Sequence, residues 1–365
     1  MIHTLEINGF RGFKHFTMSN LGRVNLLVGA NNCGKTSVLE ALYILASQGD
    51  LFALARILSD RGERQENAHP GPDEGEFEIC HLFHGHQITN GGRFTIAAKN
   101  TIKNYSITFA IRESSIDDLD NDDHIISSDL RLSLSISGDT NTVFLDTNLT
   151  SNGGIPTRRT RLRGDSRRNQ DKGNIQTQYI STGSLSTREL YLLWNSIALT
   201  EHEDNVLEAL QIIEPRIDRI AALTTELPPF LYRRGGFKIK LKDTKAPLPI
   251  GNLGDGAWRM LAIAMALNQA KDGILLIDEI DSGLHYSTLE KIWRLIFETA
   301  KKLNVQVFAT THSQDCVEGL AIICRNEIND ENQVSIQRIE SKKKEAVFYT
   351  EEEIKIAAKR HIEVR

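Results

Sequence analysis

The chain has 365 residues, 40% hydrophobic and 25% charged, a balance typical of a folded protein with one large domain plus an insertion, or two domains. Its net charge of −5 excludes nucleic-acid binding by the whole surface, so such a contact must come from a local basic patch. No apolar run reaches the length of a membrane span, and the start MIHTLEINGF lacks the basic-then-apolar layout of a signal peptide. Cys33, Cys80, Cys316 and Cys324 form no C-x-x-C pair, so reduced thiols in a cytoplasmic protein with no membrane partner are expected.

Ile2 to Ile7 reads as a strand, followed by Asn8-Gly9-Phe10-Arg11-Gly12-Phe13 and a second short strand. Val24 to Val28 is an apolar run long enough for one buried strand. It meets Gly29-Ala30-Asn31-Asn32-Cys33-Gly34-Lys35-Thr36, which fits G-x-x-x-x-G-K-[ST] at every fixed position, and Ser37 follows. A helix with an apolar face of Val38, Leu39, Leu42, Ile44 and Leu45 comes next. Gly29 and Gly34 let the backbone curl so that the amides of Asn31 to Ser37 can face a phosphate at a helix N-terminus. Lys35 is placed to reach the β- and γ-phosphates of ATP, and the Thr36 hydroxyl to hold Mg²⁺.

From Asp50 to Gly75 the polar chain with its Pro70-Gly71-Pro72 breaker is expected to be a loop. His81, His84 and His86 follow in FEICHLFHGHQ, without a cysteine or carboxylate at ligand spacing to make a metal site. Phe94–Ala97, Tyr105–Arg112, Leu130–Ile136 and Thr142–Asp146 are alternating or β-branched runs that predict an antiparallel sheet. Asp117 to Asp123 reads as a solvated acidic turn. The segment from Thr157 to Gly173 carries Arg158, Arg159, Arg161, Arg163, Arg167, Arg168 and Lys172 with no apolar period. It reads as a DNA or RNA backbone contact, a solvated insertion, or an arm for an acidic partner; without interleaved aromatics, base stacking has no support. Leu185 to Ile220 reads as helical, with a Thr200/Glu203 capping box and Pro215 near its end. Strands are expected around Ile217–Leu223, Phe230–Tyr232 and Phe237–Leu241.

Asn252-Leu253-Gly254-Asp255-Gly256-Ala257-Trp258-Arg259 opens a helix through Met260, Leu261, Ile263, Ala264 and Leu267. Its bare amides at a glycine-containing start suit an anion. Gly273 to Ile277 is an apolar strand ending in Asp278 and Glu279, the Walker B form. Asp278 is placed to hold Mg²⁺ and Glu279 to act as general base on the attacking water. Adjacent buried carboxylates without such a role would carry a heavy desolvation penalty. Val305 to Thr310 is the next core strand, ended by Thr311-His312-Ser313; strands near Val334–Glu340 and Ala346–Tyr349 and a terminal helix follow.

These features together resemble ABC-class ATPases of the SMC, RecF and overcoming-lysogenisation-defect (OLD) branch, of the AAA15/AAA21 type. The residues that carry it are the opening around Phe10-Arg11-Gly12-Phe13, the phosphate loop and the motifs of 250–315. The resemblance implies that Arg11 contacts phosphate, that Gln87 or His84 stands at the Q-loop, and that Asp281-Ser282-Gly283-Leu284-His285 is a D-loop. It also implies that His312 is the switch histidine and that the helix start with Gly254 and Gly256 caps the γ-phosphate held by a second copy. Gly254 departs from the LSGGQ form, where a serine stands, so side-chain hydroxyl contact is lost there while amide contacts remain.

The expected fold is α/β: a P-loop ABC-type ATPase head with a parallel-sheet core, an antiparallel β-subdomain and a helical insertion. It is expected as one domain over 1–365, with residues 1–50 and 250–325 as the nucleotide-binding core, 51–249 as β-subdomain and insertion, and 326–365 as terminal strands and helix. No D-x-D with an upstream glutamate follows His312, so the chain resembles the ATPase part without a TOPRIM nuclease domain. The implied function is an ATP-hydrolysing homodimer or higher oligomer, with ATP and Mg²⁺, that gates a separately encoded effector such as a TOPRIM-type nuclease. Anti-phage defence or DNA repair is the implied setting. The alternatives are an ATP-dependent scaffold or sensor, and a RecF-like DNA clamp working through Arg158–Arg168.

Overall fold

The computed structural model describes residues 1–66, 75–100, 104–113, 127–137, 142–157, 175–223, 236–326 and 333–364. The Pro70–Pro72 breaker, the acidic run 117–123, the basic segment Arg158–Lys172 and the strand at Phe230–Tyr232 lie outside the described residues.

In chain order the strands are β1 (Ile2–Phe10), β2 (Phe13–Met18), β3 (Val24–Val28), β4 (Arg64–Glu66), β5 (Gly75–Phe77) and β6 (Arg93–Asn100). They continue with β7 (Asn104–Glu113), β8 (Ser127–Ser137), β9 (Thr142–Thr150), β10 (Ile155–Pro156), β11 (Thr177–Ile180) and β12 (Ile217–Ala222). Then come β13 (Phe237–Leu241), β14 (Leu248–Pro249), β15 (Ile274–Ile277), β16 (Gln306–Thr310), β17 (Val334–Arg338) and β18 (Val347–Tyr349). The helices are α1 (Lys35–Ala46), α2 (Leu51–Asp60), α3 (Thr187–Ile197) and α4 (Glu201–Ile213). They are followed by α5 (Asp255–Gln269), α6 (Tyr286–Lys302), α7 (Gln314–Asn326) and α8 (Glu351–Lys359). Among the described residues no helix is long and apolar enough to cross a membrane.

The chain divides into two compact units, one of Met1–Asn20, Asn32–Ile175 and Ile339–Ala346, the other of Leu21–Asn31, Gln176–Arg338 and Val347–Arg365. The first unit contains an antiparallel sheet in the order β2-β1-β6-β7-β8-β9, in which the predicted strand runs meet one another. Phe94 faces Phe109 across β6 and β7, Phe109 faces Leu134 across β7 and β8, and all three are buried. The Phe94 and Phe109 rings stack with centroids 4.8 Å apart. Because β1 hydrogen-bonds both β2 and β6, the opening strands belong with this sheet, not with the parallel one. The stretch from Asp50, expected as a loop, instead forms α2 and then β4. Leu51, Leu54, Ala55 and Leu58 recur at helical spacing and, with Ala53 and Ile57, are buried; that stripe outweighs the polar residues around it.

In the second unit the order is β11-β15-β16-β3-β17-β18, parallel throughout except for the antiparallel edge strand β18. Every residue of β3, β15 and β16 is buried, as sequences in parallel sheets covered on both faces require. The one amide side chain in β3 is fully satisfied there. Asn25 accepts from the Gly22 amide and the Ser335 hydroxyl at 2.8 Å each, and donates to the carbonyls of Gly22 (2.9 Å) and Val307 (3.1 Å). β12, β13 and β14 form a small antiparallel sheet. The single helical stretch expected from Leu185 is two helices, because Leu199 takes a left-handed backbone (φ 63°) and Thr200 caps α4. Glu203 does not complete a box with Thr200; its carboxylate accepts from the Leu199 amide at 2.8 Å. Complete capping boxes stand at Ser186/Glu189 and Thr350/Glu353.

Candidate functional site: phosphate loop and acidic strand end

From the end of β3 the chain runs through Gly29 to Gly34 into α1. Ala30, Asn31 and Asn32 are exposed at the tip, while Cys33, Lys35 and Ser37 are buried, and Lys35 Nζ lies 3.8 Å from Cys33 Sγ. Gly34 is the N-cap of α1 with φ 106° and places no side chain over the helix start, the end of a helix that suits an anion. A Cβ on Gly34 would overlap the Phe13 ring. Gly34→Ala is therefore expected to cost at least about 1–2 kcal/mol from the left-handed backbone alone and to lose nucleotide binding. Thermal unfolding and equilibrium titration with a fluorescent ATP analogue check this.

Arg11, expected at phosphate, has its guanidinium committed to carboxylates. Its Nε pairs with Glu40 Oε2 and its Nη1 with Glu63 Oε1, both at 2.6 Å, and Arg11 is 5% exposed. Arg61 Nε pairs with Glu40 Oε1 at 2.6 Å, and Arg61 Nη2 reaches the Ser37 hydroxyl at 3.3 Å. Glu40 sits on α1 one turn beyond Thr36, so this cluster ties the phosphate-loop helix to α2 and β4. Burial pushes the Glu40 carboxyl above its ordinary value, and Arg11 and Arg61 pull it back. After β5, Ile79–Leu82 forms a short 3-10 helix. His84 and Gln87 are exposed, and His81 Nδ1 lies 3.2 Å from His86 Nδ1. Among the described residues no group of three or more histidine, cysteine, aspartate or glutamate side chains is arranged to hold a metal ion.

In the second unit β3 and β15 run parallel in one sheet, so Gly29 and Asp278 leave the same C-terminal edge, where α/β sheets bind ligands. Asp278 is 5% exposed. Its Oδ1 accepts from the Thr310 hydroxyl at 2.6 Å and its Oδ2 from the Thr182 hydroxyl at 3.1 Å. The same Thr310 oxygen accepts from the Glu279 amide at 2.7 Å. Thr310 ends β16 and Thr182 lies just past β11, so the strands flanking β15 on either side hold the carboxylate still. Glu279 itself is half-buried and has a left-handed backbone, φ 50°.

Thr311 donates to Asp281 at 2.5 Å and accepts from the Ser313 amide at 2.9 Å, which brackets the half-buried His312. Gly254, the N-cap of α5, is exposed with φ 83°, a conformation that glycine adopts freely and serine does not. A Cβ on Gly256 would come within 2.9 Å of the Gly283 carbonyl, so the start of α5 packs tightly on the turn after Glu279.

Sequence reasoning passed over Thr182, Thr310 and Arg259. Only Thr310 carried a local signal, as the last residue of a core strand entering Thr311-His312. Arg259 is buried in α5 and donates to the main-chain carbonyls of Ser181, Asp278 and Glu279.

The family model described as AAA ATPase domain (AAA_15) matches residues 1–317. An ATP/GTP phosphatase of Helicobacter pylori is 23% identical over 351 residues, covering 89% of each chain. The DNA replication and repair protein RecF of Nitrosococcus oceani is 44% identical over 55 residues, 15% of each chain. Among solved structures, an SMC head bound to the C-winged helix domain of ScpA aligns at 16% identity with a TM-score of 0.48, covering 96% of this chain and 98% of the other.

Proposed function

This chain belongs to the AAA ATPase domain family, and from that premise we propose that it binds ATP through Gly29–Ser37 and hydrolyses it with Glu279 as general base. The observation that carries the reading is the strand end itself. Asp278 is oriented on both oxygens by threonine hydroxyls, while Glu279, in a left-handed turn just past the strand, is half-buried where Asp278 is buried. Lys35 and the helix-start amides neutralise the β- and γ-phosphates. Glu279 takes a proton from the attacking water as its oxygen bonds to the γ-phosphorus. The bond to the β–γ bridging oxygen breaks, and ADP and phosphate leave. His312, after the neighbouring strand, serves as a hydrogen-bond donor to the γ-phosphate.

Mg²⁺ fits the donor set, since Thr36 and Asp278 offer only hard oxygens, and when bound it offsets charge on the β- and γ-phosphate oxygens. Two copies close around two ATP, with the start of α5 at Gly254–Gly256, exposed at Gly254 and Asp255, lending amides to the triphosphate of the other copy. Turnover then opens the pair and gates a separately encoded effector, such as a TOPRIM-type nuclease, in anti-phage defence or DNA repair.

The test is phosphate release from ATP with Mg²⁺. Wild-type protein is expected to turn over ATP, and Lys35→Ala to lose at least about 100-fold in kcat/KM through the missing phosphate contact. Absence of nucleotide binding by the wild type, or full activity in Lys35→Ala, would refute the reading. Light scattering of Glu279→Gln with ATP and Mg²⁺ tests the pairing, which requires a doubling of mass.

A further inference from the structure

We propose that Arg259 fixes the backbone turn that aims Glu279, making it a positioning residue for hydrolysis; this rests on the reading of Glu279 as the base. Arg259 is 3% exposed, in the second turn of α5. Its Nη1 donates to the Ser181 carbonyl at 2.9 Å. Its Nη2 donates to the Asp278 carbonyl and, at 3.1 Å, to the Glu279 carbonyl.

In an extended strand, successive carbonyls point to opposite sides. Here two successive carbonyls converge on one nitrogen, and the residue between them is the one with φ 50°. From the other side Thr310 completes the clasp: its hydroxyl accepts from the Glu279 amide at 2.7 Å, and its carbonyl from the Ile280 amide at 2.9 Å. Amides held by Thr310 and carbonyls held by Arg259 leave the turn no freedom to relax into an extended continuation of β15.

A left-handed glutamate is an unfavourable local choice that persists only where its surroundings impose it. The chain also leaves Arg259 Nε buried without a hydrogen-bond partner, a penalty that an apolar side chain at this position would avoid. Desolvation lowers the guanidinium's pKa from its ordinary value, and the carboxylates of Asp278, Glu279 and Asp281 oppose this, so the cation is matched to the acidic turn. A planar donor that reaches three carbonyls at once is what arginine supplies and lysine does not.

The experiment compares wild type, Arg259→Met, Arg259→Lys, Glu279→Gln and the Arg259→Met/Glu279→Gln double variant, each shown folded by thermal unfolding. Arg259→Met is expected to lower kcat by about 100-fold, as a misplaced catalytic group does, with KM and the ATP dissociation constant within about twofold, the mark of an interaction used in the transition state. Arg259→Lys should fall between wild type and Arg259→Met, and it carries the comparison if Arg259→Met does not fold. In the Glu279→Gln background the Met substitution should change the residual rate by less than about twofold, because residues acting as a unit are not additive. Hydrogen exchange over residues 278–284 should accelerate in Arg259→Met whatever the turnover. The proposal is overturned by kcat within twofold of wild type in Arg259→Met (or, if Arg259→Met does not fold, in Arg259→Lys), by a loss confined to KM, by an undiminished effect on Glu279→Gln, or by unchanged exchange. Full turnover in Glu279→Gln would instead remove the base assignment, whatever Arg259 does.

Discussion

Glu279→Gln is expected to lower ATP turnover by about 10²- to 10⁴-fold, the usual contribution of a positioned general base, while MgATP binding stays within about twofold. Glutamine keeps the size and the hydrogen-bonding reach of glutamate but cannot take a proton from water. The substitution should also spare the turn, because the contacts that shape it are main-chain ones: the amide to Thr310 and the carbonyl to Arg259. The expected species is therefore an ATP-loaded protein that does not progress. Single-turnover measurement with labelled ATP separates this from weakened binding: the bound fraction should match wild type while the rate of phosphate formation collapses. A variant that hydrolyses within tenfold of wild type would mean that another group is the base.

The second large effect falls on stability. Glu40→Leu is expected to cost about 3–5 kcal/mol, the range for removing one partner from a buried ion pair. Glu40 stands between Arg11 and Arg61 at 2.6 Å from each, and leucine would leave the Arg11 guanidinium, 5% exposed, with one of its two carboxylates, Glu63, beside the His81 carbonyl. Such a loss is a large share of the 5–15 kcal/mol by which domains are typically stable. Urea unfolding followed by circular dichroism provides the measurement. Adding Arg11→Met to Glu40→Leu should recover part of the loss, because the unpaired cation is then gone. A cost under about 1 kcal/mol for Glu40→Leu would show that water already screens the cluster.

Local pattern carried much of this molecule. The phosphate loop is contiguous, and its residue types follow from what a backbone must do to present amides. The apolar runs at Val24–Val28, Ile274–Ile277 and Gln306–Thr310 announce buried parallel strands because both of their faces are covered. The four runs between Phe94 and Asp146 announce an antiparallel sheet for the complementary reason, alternation. α2 is hidden because a ten-residue helix followed by the polar run from Asp60 to Gly75 reads as polar when averaged with it.

What the sequence determined by itself is therefore the chemistry available: a glycine-bounded loop with Lys35 and Thr36, and an acidic pair at the tip of an apolar strand. What only the tertiary structure decided is how those groups are held. Glu40 on α1 meets Arg11, and Glu63, just before β4, meets it too; Thr182, Thr310 and Arg259 come from three separate parts of the chain to grip Asp278 and the Glu279 turn. No period or spacing encodes such contacts, because each depends on which strand ends the sheet order brings side by side. The left-handed backbones at Glu279 and Gly254 belong to the same class: a local preference that the packed surroundings overrule in the first case and that glycine accommodates in the second.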